Sequence, residues 1–220
     1  MTDHRQRFLQ LAVDVEALRF GQFTLKSGRS SPYFFNAGRF DSGRALSTLA
    51  SCYADAIDAA GVDFDLVFGP AYKGIPLATA LVCAYAARGR DLPLAFNRKE
   101  AKVHGEGGTL VGAPLEGRRV LVVDDVITAG TAVREALALV ASAGASVAAI
   151  AIALDRQETL HGDGAPDGDR CSAAQAVARD HGVRVIAIAG LSDLLAFAGE
   201  SGTLAAERER LLAYRARYGC

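Results

Sequence analysis

The sequence predicts an open α/β fold, a doubly wound and mainly parallel sheet flanked by helices. Two observations predict it. Short apolar runs at residues 66–68, 94–96, 120–123, 147–154 and 183–189 alternate with longer stretches of helical periodicity, the rhythm of successive βαβ units. The runs are apolar at nearly every position, so both faces of each strand must be covered, as they are in a sheet with helices on each side. At 220 residues, half of them hydrophobic, the chain can build a sizeable core.

In chain order, Phe8, Leu11, Ala12, Val15 and Leu18 recur at helical spacing and predict an amphipathic first helix. Residues 21–38 (GQFTLKSGRSSPYFFNAG) mix aromatics with Gly, Ser and Pro and predict short extended pieces and turns. A second helix is expected over residues 43–60, ahead of the alternating core. Residues 161–171 (HGDGAPDGDRC) have no periodicity and read as a surface loop, since their acids match no calcium-loop spacing. Residues 204–218 form a charged helix with Glu207 and Arg210 on one face.

Composition excludes several classes of partner. Lys plus Arg number 24 against 25 for Asp plus Glu, so no global field attracts nucleic acid or anionic lipid, and any useful basicity must be local. Cys52, Cys83, Cys171 and Cys220 are scattered and form no CxxC, which fits a reducing compartment. The first residues (MTDHRQRF) carry no apolar stretch after their charges, and the longest apolar run, 147–154, is too short for a bilayer. A cytoplasmic protein is expected.

In open α/β sheets ligands collect at the carboxyl ends of the strands. Residues 120–143 (VLVVDDVITAGTAVREALALVASA) run from a buried strand through two acids and a turn of small residues into a helix. A helix start offers unpaired N–H groups and a positive dipole end, and Thr128, Ala129, Gly130 and Thr131 are small enough to admit a phosphate. Asp124 and Asp125 repel phosphate, so they should serve ribose hydroxyls or a bridging cation. A sugar phosphate meets both demands. Taken alone, an acid before Thr is also a common helix N-cap, and paired acids occur in phosphate-transfer receivers. Neither GxxxxGK[ST] nor GxGxxG is present, so nucleoside triphosphate and dinucleotide loops are unsupported.

Two more segments follow predicted strands. Residues 69–76 (GPAYKGIP) form a turn whose amides and Lys73 can hold a second anionic group. Residues 97–108 (NRKEAKVHGEGG) gather Arg98, Lys99, Lys102 and His104 ahead of glycines, a basic hinged loop suited to closing over an anion.

These residues carry a resemblance. DDVITAGTA resembles the phosphoribosyl-diphosphate motif of type I phosphoribosyltransferases, and FTLKSGRSSPYFFNAG, FGPAYKGIP, FNRKEAKVHGEGG and LDRQE together are similar to bacterial orotate phosphoribosyltransferases. The match covers nearly the whole chain. The resemblance implies a single phosphoribosyltransferase domain over residues 1–220, with a helix and hood-like segment in 1–40, the α/β core in 61–190 and a flexible catalytic loop at 97–108. It implies that Asp124, Asp125, Val126, Ile127, Thr128, Ala129, Gly130, Thr131 and Ala132 bind the ribose 5-phosphate, with the acids on the hydroxyls. Tyr72 and Lys73 would hold the diphosphate, and Lys26 would reach both donor and base. Arg98, Lys99, Lys102 and His104 would come from a loop that closes over a neighbouring subunit's site, which implies a homodimer with shared sites. Orotate would sit by Phe34 and Phe35, with Thr128 and Arg156 in contact. Two features depart from the family pattern: Val103 stands where relatives commonly carry an acid, and the loop from His161 is longer.

The implied reaction breaks a C–O bond to diphosphate and forms a C–N bond through a cationic sugar. Mg²⁺ arriving on the donor, Lys73 and the loop cations would neutralise the leaving group, with Lys102 as the main catalytic group and no metal site built by the protein alone. Arg156 would hold the orotate carboxylate as a two-pronged fork. A purine-base transferase would share the phosphate loop but need neither this arginine nor the Phe34–Phe35 segment. A phosphoribosyl-diphosphate-sensing regulator that binds nucleic acid would need a basic face.

Overall fold

The computed structural model describes residues 3–25, 28–102, 108–128, 130–160, 170–200 and 204–220, with only the main chain of Ala101 and Lys102. A six-stranded sheet forms its centre. The strands are β3 (Leu66–Gly69), β4 (Leu94–Lys102), β5 (Gly108–Gly112), β6 (Arg119–Asp124), β7 (Ser146–Asp155) and β8 (Arg184–Gly190), in the order β5-β4-β3-β6-β7-β8. All neighbouring pairs are parallel except β4 with β5. Two further strands, β1 (Leu18–Thr24) and β2 (Ser30–Phe35), pair as a separate antiparallel hairpin.

The sheet divides the interior in two, as the all-apolar strand pattern requires. Val67, Leu121, Val123, Ala149 and Ala151 face one core with α1 (His4–Asp14), α2 (Gly43–Ala60), α3 (Gly74–Ala87), α6 (Leu191–Glu200) and α7 (Ala205–Tyr218). Leu66, Phe68, Val120, Val122, Ile150 and Ile152 face the other, with α4 (Thr131–Ser142) and α5 (Ala173–His181). Burying such a side chain contributes roughly 1.5–3 kcal/mol, so the strands are held from both sides. Helix ends follow local chemistry. Ser42 Oγ accepts the Ala45 N–H at 3.2 Å to open α2, and Gly61, at φ 63°, closes it.

The predicted strands and the second helix agree with the structure within a residue or two at their starts. Three details differ. The first helix ends at Asp14, because Glu16 adopts φ 57°, and Leu18 instead opens β1 while still entering the same core. The basic segment 97–108, expected as a loop, is strand as far as Lys102 and again from Gly108. β5, the antiparallel edge strand, was not anticipated, because GTLVG holds too little apolar alternation to stand out. The pairing of β4 with β3 ends at Gly69 and Phe96, so the rest of β4 extends past the sheet with β5 as partner. No helix among the described residues is long and apolar enough to cross a membrane.

Candidate active site

After β3 the chain winds through α3 to β4 on one side, whereas β6, α4, β7, α5 and β8 proceed to the other. The crevice between the carboxyl ends of β3 and β6 is therefore the switch point where such sheets bind ligands. Both turns that open onto it were singled out from the sequence.

The β3–α3 turn is tight. A Cβ on Gly74 would lie 2.5 Å from Pro70 Cδ and 2.6 Å from the Val123 carbonyl oxygen, so only glycine lets the turn settle against β6. The Ala71–Tyr72 peptide is cis, and the Ala71 N–H donates to Asn97 Oδ1 at 2.9 Å. Tyr72 projects outward, 66% exposed, with Lys99 Nζ 5.1 Å from its ring centroid. Asn97 and Lys99 thus face the turn from β4.

On the β6 side, Asp124 and Asp125 are 9% and 6% exposed. Asp124 Oδ1 accepts the Asp125 N–H at 2.9 Å, and the Tyr53 hydroxyl donates to the Asp124 carbonyl at 2.7 Å. The Asp125 carbonyl accepts from the N–H groups of Ala153 and Leu154, which fastens the turn to β7. Lys73 Nζ reaches Asp125 Oδ2 at 2.6 Å and bridges the two turns. Burial, and then the adjacent charge of Asp125, raises the Asp124 carboxyl well above its usual range.

Beyond the acids, Val126 packs into the core of α1–α3 and Ile127 into that of α4 and α5. Their side chains are anchors, so only their main chain is offered to a ligand. Gly130, at φ 74°, precedes α4, whose start has no side-chain cap. Thr128 is exposed and does not cap it, which removes the plain N-cap explanation of the motif. The first N–H groups of α4 are left available to an anion.

Arg156 follows the end of β7, the strand that pairs with β6. Arg156 Nε and Nη2 donate to Glu158 Oε1 at 3.0 and 2.7 Å, and the Tyr33 hydroxyl donates to the same oxygen at 3.1 Å. The guanidinium lies 4.8 Å from the Tyr33 ring centroid, so β2 is held against the end of β7. Along β2, Tyr33 and Phe35 point to the core, where Phe35 packs with Phe8 and Phe40. Phe35 can therefore offer a ligand only its main chain. Phe34 faces the opposite way, 5.5 Å from Phe23 and 5.8 Å from the Arg19 guanidinium.

Lys26, Val103, His104, Ala129 and residues 161–169 lie outside the described residues, as does the side chain of Lys102. The structure thus places Tyr72, Lys73, Lys99, Asp124, Asp125, Thr128, Gly130, Thr131 and Arg156 at or just beyond the carboxyl ends of β3, β4, β6 and β7. Asn97, Tyr53, Tyr33 and Glu158 received no role from the sequence. Tyr33, Asn97 and Glu158 stand inside the quoted motifs, so proximity to a motif was their one available signal.

The Phosphoribosyl transferase domain model matches residues 41–169, from the start of α2 past Glu158. An orotate phosphoribosyltransferase of Xanthomonas campestris pv. campestris (strain B100) is 72% identical over 219 residues, covering 100% of this chain and 98% of the relative. The chain belongs to the orotate phosphoribosyltransferase family. A family member from Stenotrophomonas maltophilia (strain K279a) is 66% identical over the same coverage. The crystal structure of the Francisella tularensis orotate phosphoribosyltransferase superposes with a TM-score of 0.82 at 38% identity, covering 97% of this chain and 96% of that one. The family's mostly parallel sheet flanked by helices is the architecture found here.

Proposed function

We propose that the chain transfers the ribose 5-phosphate of 5-phosphoribosyl 1-diphosphate to orotate, giving orotidine 5'-phosphate and diphosphate, as a step of pyrimidine (UMP) synthesis. The observation that carries this reading is the uncapped start of α4, set beside two buried acids and one carboxylate-ready arginine at neighbouring strand ends. A phosphate on the α4 N–H groups puts the ribose hydroxyls toward Asp124 and Asp125. Lys73 leaves Asp125 to meet the diphosphate beside Tyr72 and Lys99. The base lies between the Phe34–Phe35 segment, Thr128 and Arg156, with Lys26 shared by donor and base.

The C–O bond to diphosphate breaks as the sugar carbon bonds to the base nitrogen, which gives up its proton. Charge builds on the leaving group and on the sugar. Lys73 and the 97–108 cations Arg98, Lys99, Lys102 and His104 stabilise the first, and the nearby carboxylates tolerate the second. Lys102 is assigned the main catalytic role, and closure of its segment excludes water from the activated donor.

Magnesium fits as an ion that arrives on the donor. Among the described residues no cluster of three His, Cys, Asp or Glu could hold a metal, whereas Asp124 and Asp125 suit an ion bound chiefly by phosphate oxygens and water. Bound there, it would neutralise charge on the diphosphate.

We further propose a homodimer with shared sites, supported by the β4–β5 arm, which extends past the pairing of β4 with β3 and bears Arg98 and Lys99. A cytoplasmic location accords with the four unpaired thiols. The purine-base and regulator readings are not favoured, since relatives named orotate phosphoribosyltransferase match over the full chain.

Orotate consumption followed by its ultraviolet absorbance, with and without donor and Mg²⁺, tests the activity directly. Absence of consumption with both present would overturn it. Arg156→Ala will raise the orotate KM at least tenfold, roughly the loss of a charge-assisted pair, and spare the donor KM. Equal losses for both substrates would remove Arg156 from the base site.

A further inference from the structure

We infer that Glu158 is a positioning residue for Arg156, and through it sets the preference for a carboxylate-bearing base. The inference rests on the reading that Arg156 holds the base's carboxylate. One carboxylate oxygen, Glu158 Oε1, receives Arg156 Nε, Arg156 Nη2 and the Tyr33 hydroxyl at 3.0, 2.7 and 3.1 Å. The Arg156 and Glu158 side chains are 16% and 10% exposed. Three donors on one buried oxygen define the plane of the guanidinium, while the Tyr33 ring, 4.8 Å away, supports its face. No hydrogen bond engages Nη1 among the described residues, so the Nη1 edge is the one presented outward.

The main chain around the pair is held as firmly. Gln157, between them, adopts φ 49° and donates its N–H to Asp155 Oδ1 at 3.0 Å. Its Oε1 accepts from Ser192 N and Ser192 Oγ at 2.8 and 2.9 Å, at the start of α6. Glu158 itself pairs with Gly219, and Tyr214 of α7 meets the Tyr33 ring edge-on at 6.2 Å. These contacts come from β2, α6 and α7, three elements outside the donor-binding turns. They converge on Arg156 and leave the α4 start untouched, which predicts an effect on the base and not on the donor.

A flexible arginine would meet a neutral base or a carboxylate with little discrimination, because a free guanidinium rotates to any acceptor. One locked by Glu158 presents a fixed edge, so a base lacking the carboxylate leaves it unmatched. A structural role alone would lower stability without separating the two substrates.

The test measures orotate KM, donor KM, kcat and melting temperature for Glu158→Ala, Glu158→Gln, Tyr33→Phe, Arg156→Ala and the Glu158→Ala/Arg156→Ala double variant. Glu158→Ala will raise the orotate KM about tenfold with the donor KM within about twofold, and Glu158→Gln, which keeps an acceptor oxygen, will recover most of the loss. Tyr33→Phe, which removes one hydroxyl and keeps the ring, will raise the orotate KM by about two- to fivefold. In the double variant the Glu158 change will add nothing to the Arg156 loss, as expected for residues acting through one contact. If Arg156→Ala raises the orotate KM but Glu158→Gln and Tyr33→Phe leave it at the wild-type value, the positioning role is overturned and the base-site reading survives. If Arg156→Ala itself spares the orotate KM, the base-site reading fails. Should Glu158→Ala not fold, Glu158→Gln and Tyr33→Phe decide alone, and additive losses in Arg156→Ala backgrounds count against the proposal.

Discussion

Asp124 and Asp125 stand next to each other at the end of β6, yet their surroundings treat them differently. Asp125 has the Lys73 ammonium at 2.6 Å, whereas the Asp124 carboxylate accepts the Asp125 N–H, and burial with the neighbouring Asp125 charge outweighs the Lys73 charge and raises it to about 7. Holding ribose hydroxyls calls for a charged acceptor, so donor affinity will rise with pH through about 7 and binding will release protons near that pH. Calorimetry in buffers of different ionisation heat reads this, and Asp124→Asn will flatten the profile. The stability effect has the opposite sign. Between roughly pH 4, the ordinary carboxyl value, and about 7, the folded chain keeps a proton that the unfolded chain releases, so this group lowers stability as pH rises. Asp124→Asn will therefore raise the melting temperature at pH 8 and barely alter it at pH 4. Lys102→Ala will lower kcat about a hundredfold or more with the fold intact, as the loss of a stabiliser of developing charge does. Near-normal turnover would withdraw its role. At this scale the residues that the sequence singled out were contiguous: Asp124, Asp125 and Thr131 come in order between the end of β6 and the start of α4. Glu158 and Tyr53 were not legible, since each acts on a group that folding alone brings within reach.

The elements that carry the site are held by a few contacts between turns and helices. Tyr53, on α2, is fully buried and spends its hydroxyl on the Asp124 carbonyl. Tyr53→Phe will leave that carbonyl without its partner, cost about 1–3 kcal/mol in denaturant unfolding, and weaken the donor more than orotate. Unchanged stability would show that another donor replaces the hydroxyl. The buried parallel strands were readable because nearly every position is apolar, and α2 was expected over the residues it occupies. The β4–β5 arm was not, because an edge pair extending past the sheet has polar residues along its length and looks like a loop. The end of α1 was missed for a related reason. Leu18 serves the same core from a strand, so burial matched while the backbone did not.

Across the whole molecule the site draws on the hairpin, three strand ends and the outward arm, and a second subunit is proposed to complete it. That arrangement has a measurable signature. At an orotate concentration far below the raised KM of Arg156→Ala, mixing Lys102→Ala with Arg156→Ala subunits will bring activity to about a quarter of wild type, above either parent, if sites are shared, since half the dimers then hold one intact site. No recovery would place both residues in a single chain's site. The general architecture was visible from the rhythm of strands and helices, whereas the meeting of β2 with the end of β7 depends on how separate layers pack. The chain's pinning of Val126 in one hydrophobic compartment and Ile127 in the other reaches further. The turn proposed to hold the phosphate straddles a partition, like a beam seated on two walls, so slackness in either half should reach it. Ile127→Ala, costing about 2–5 kcal/mol as a buried truncation, and Val126→Ala on the opposite side should therefore each blur the same donor contacts from unconnected interiors.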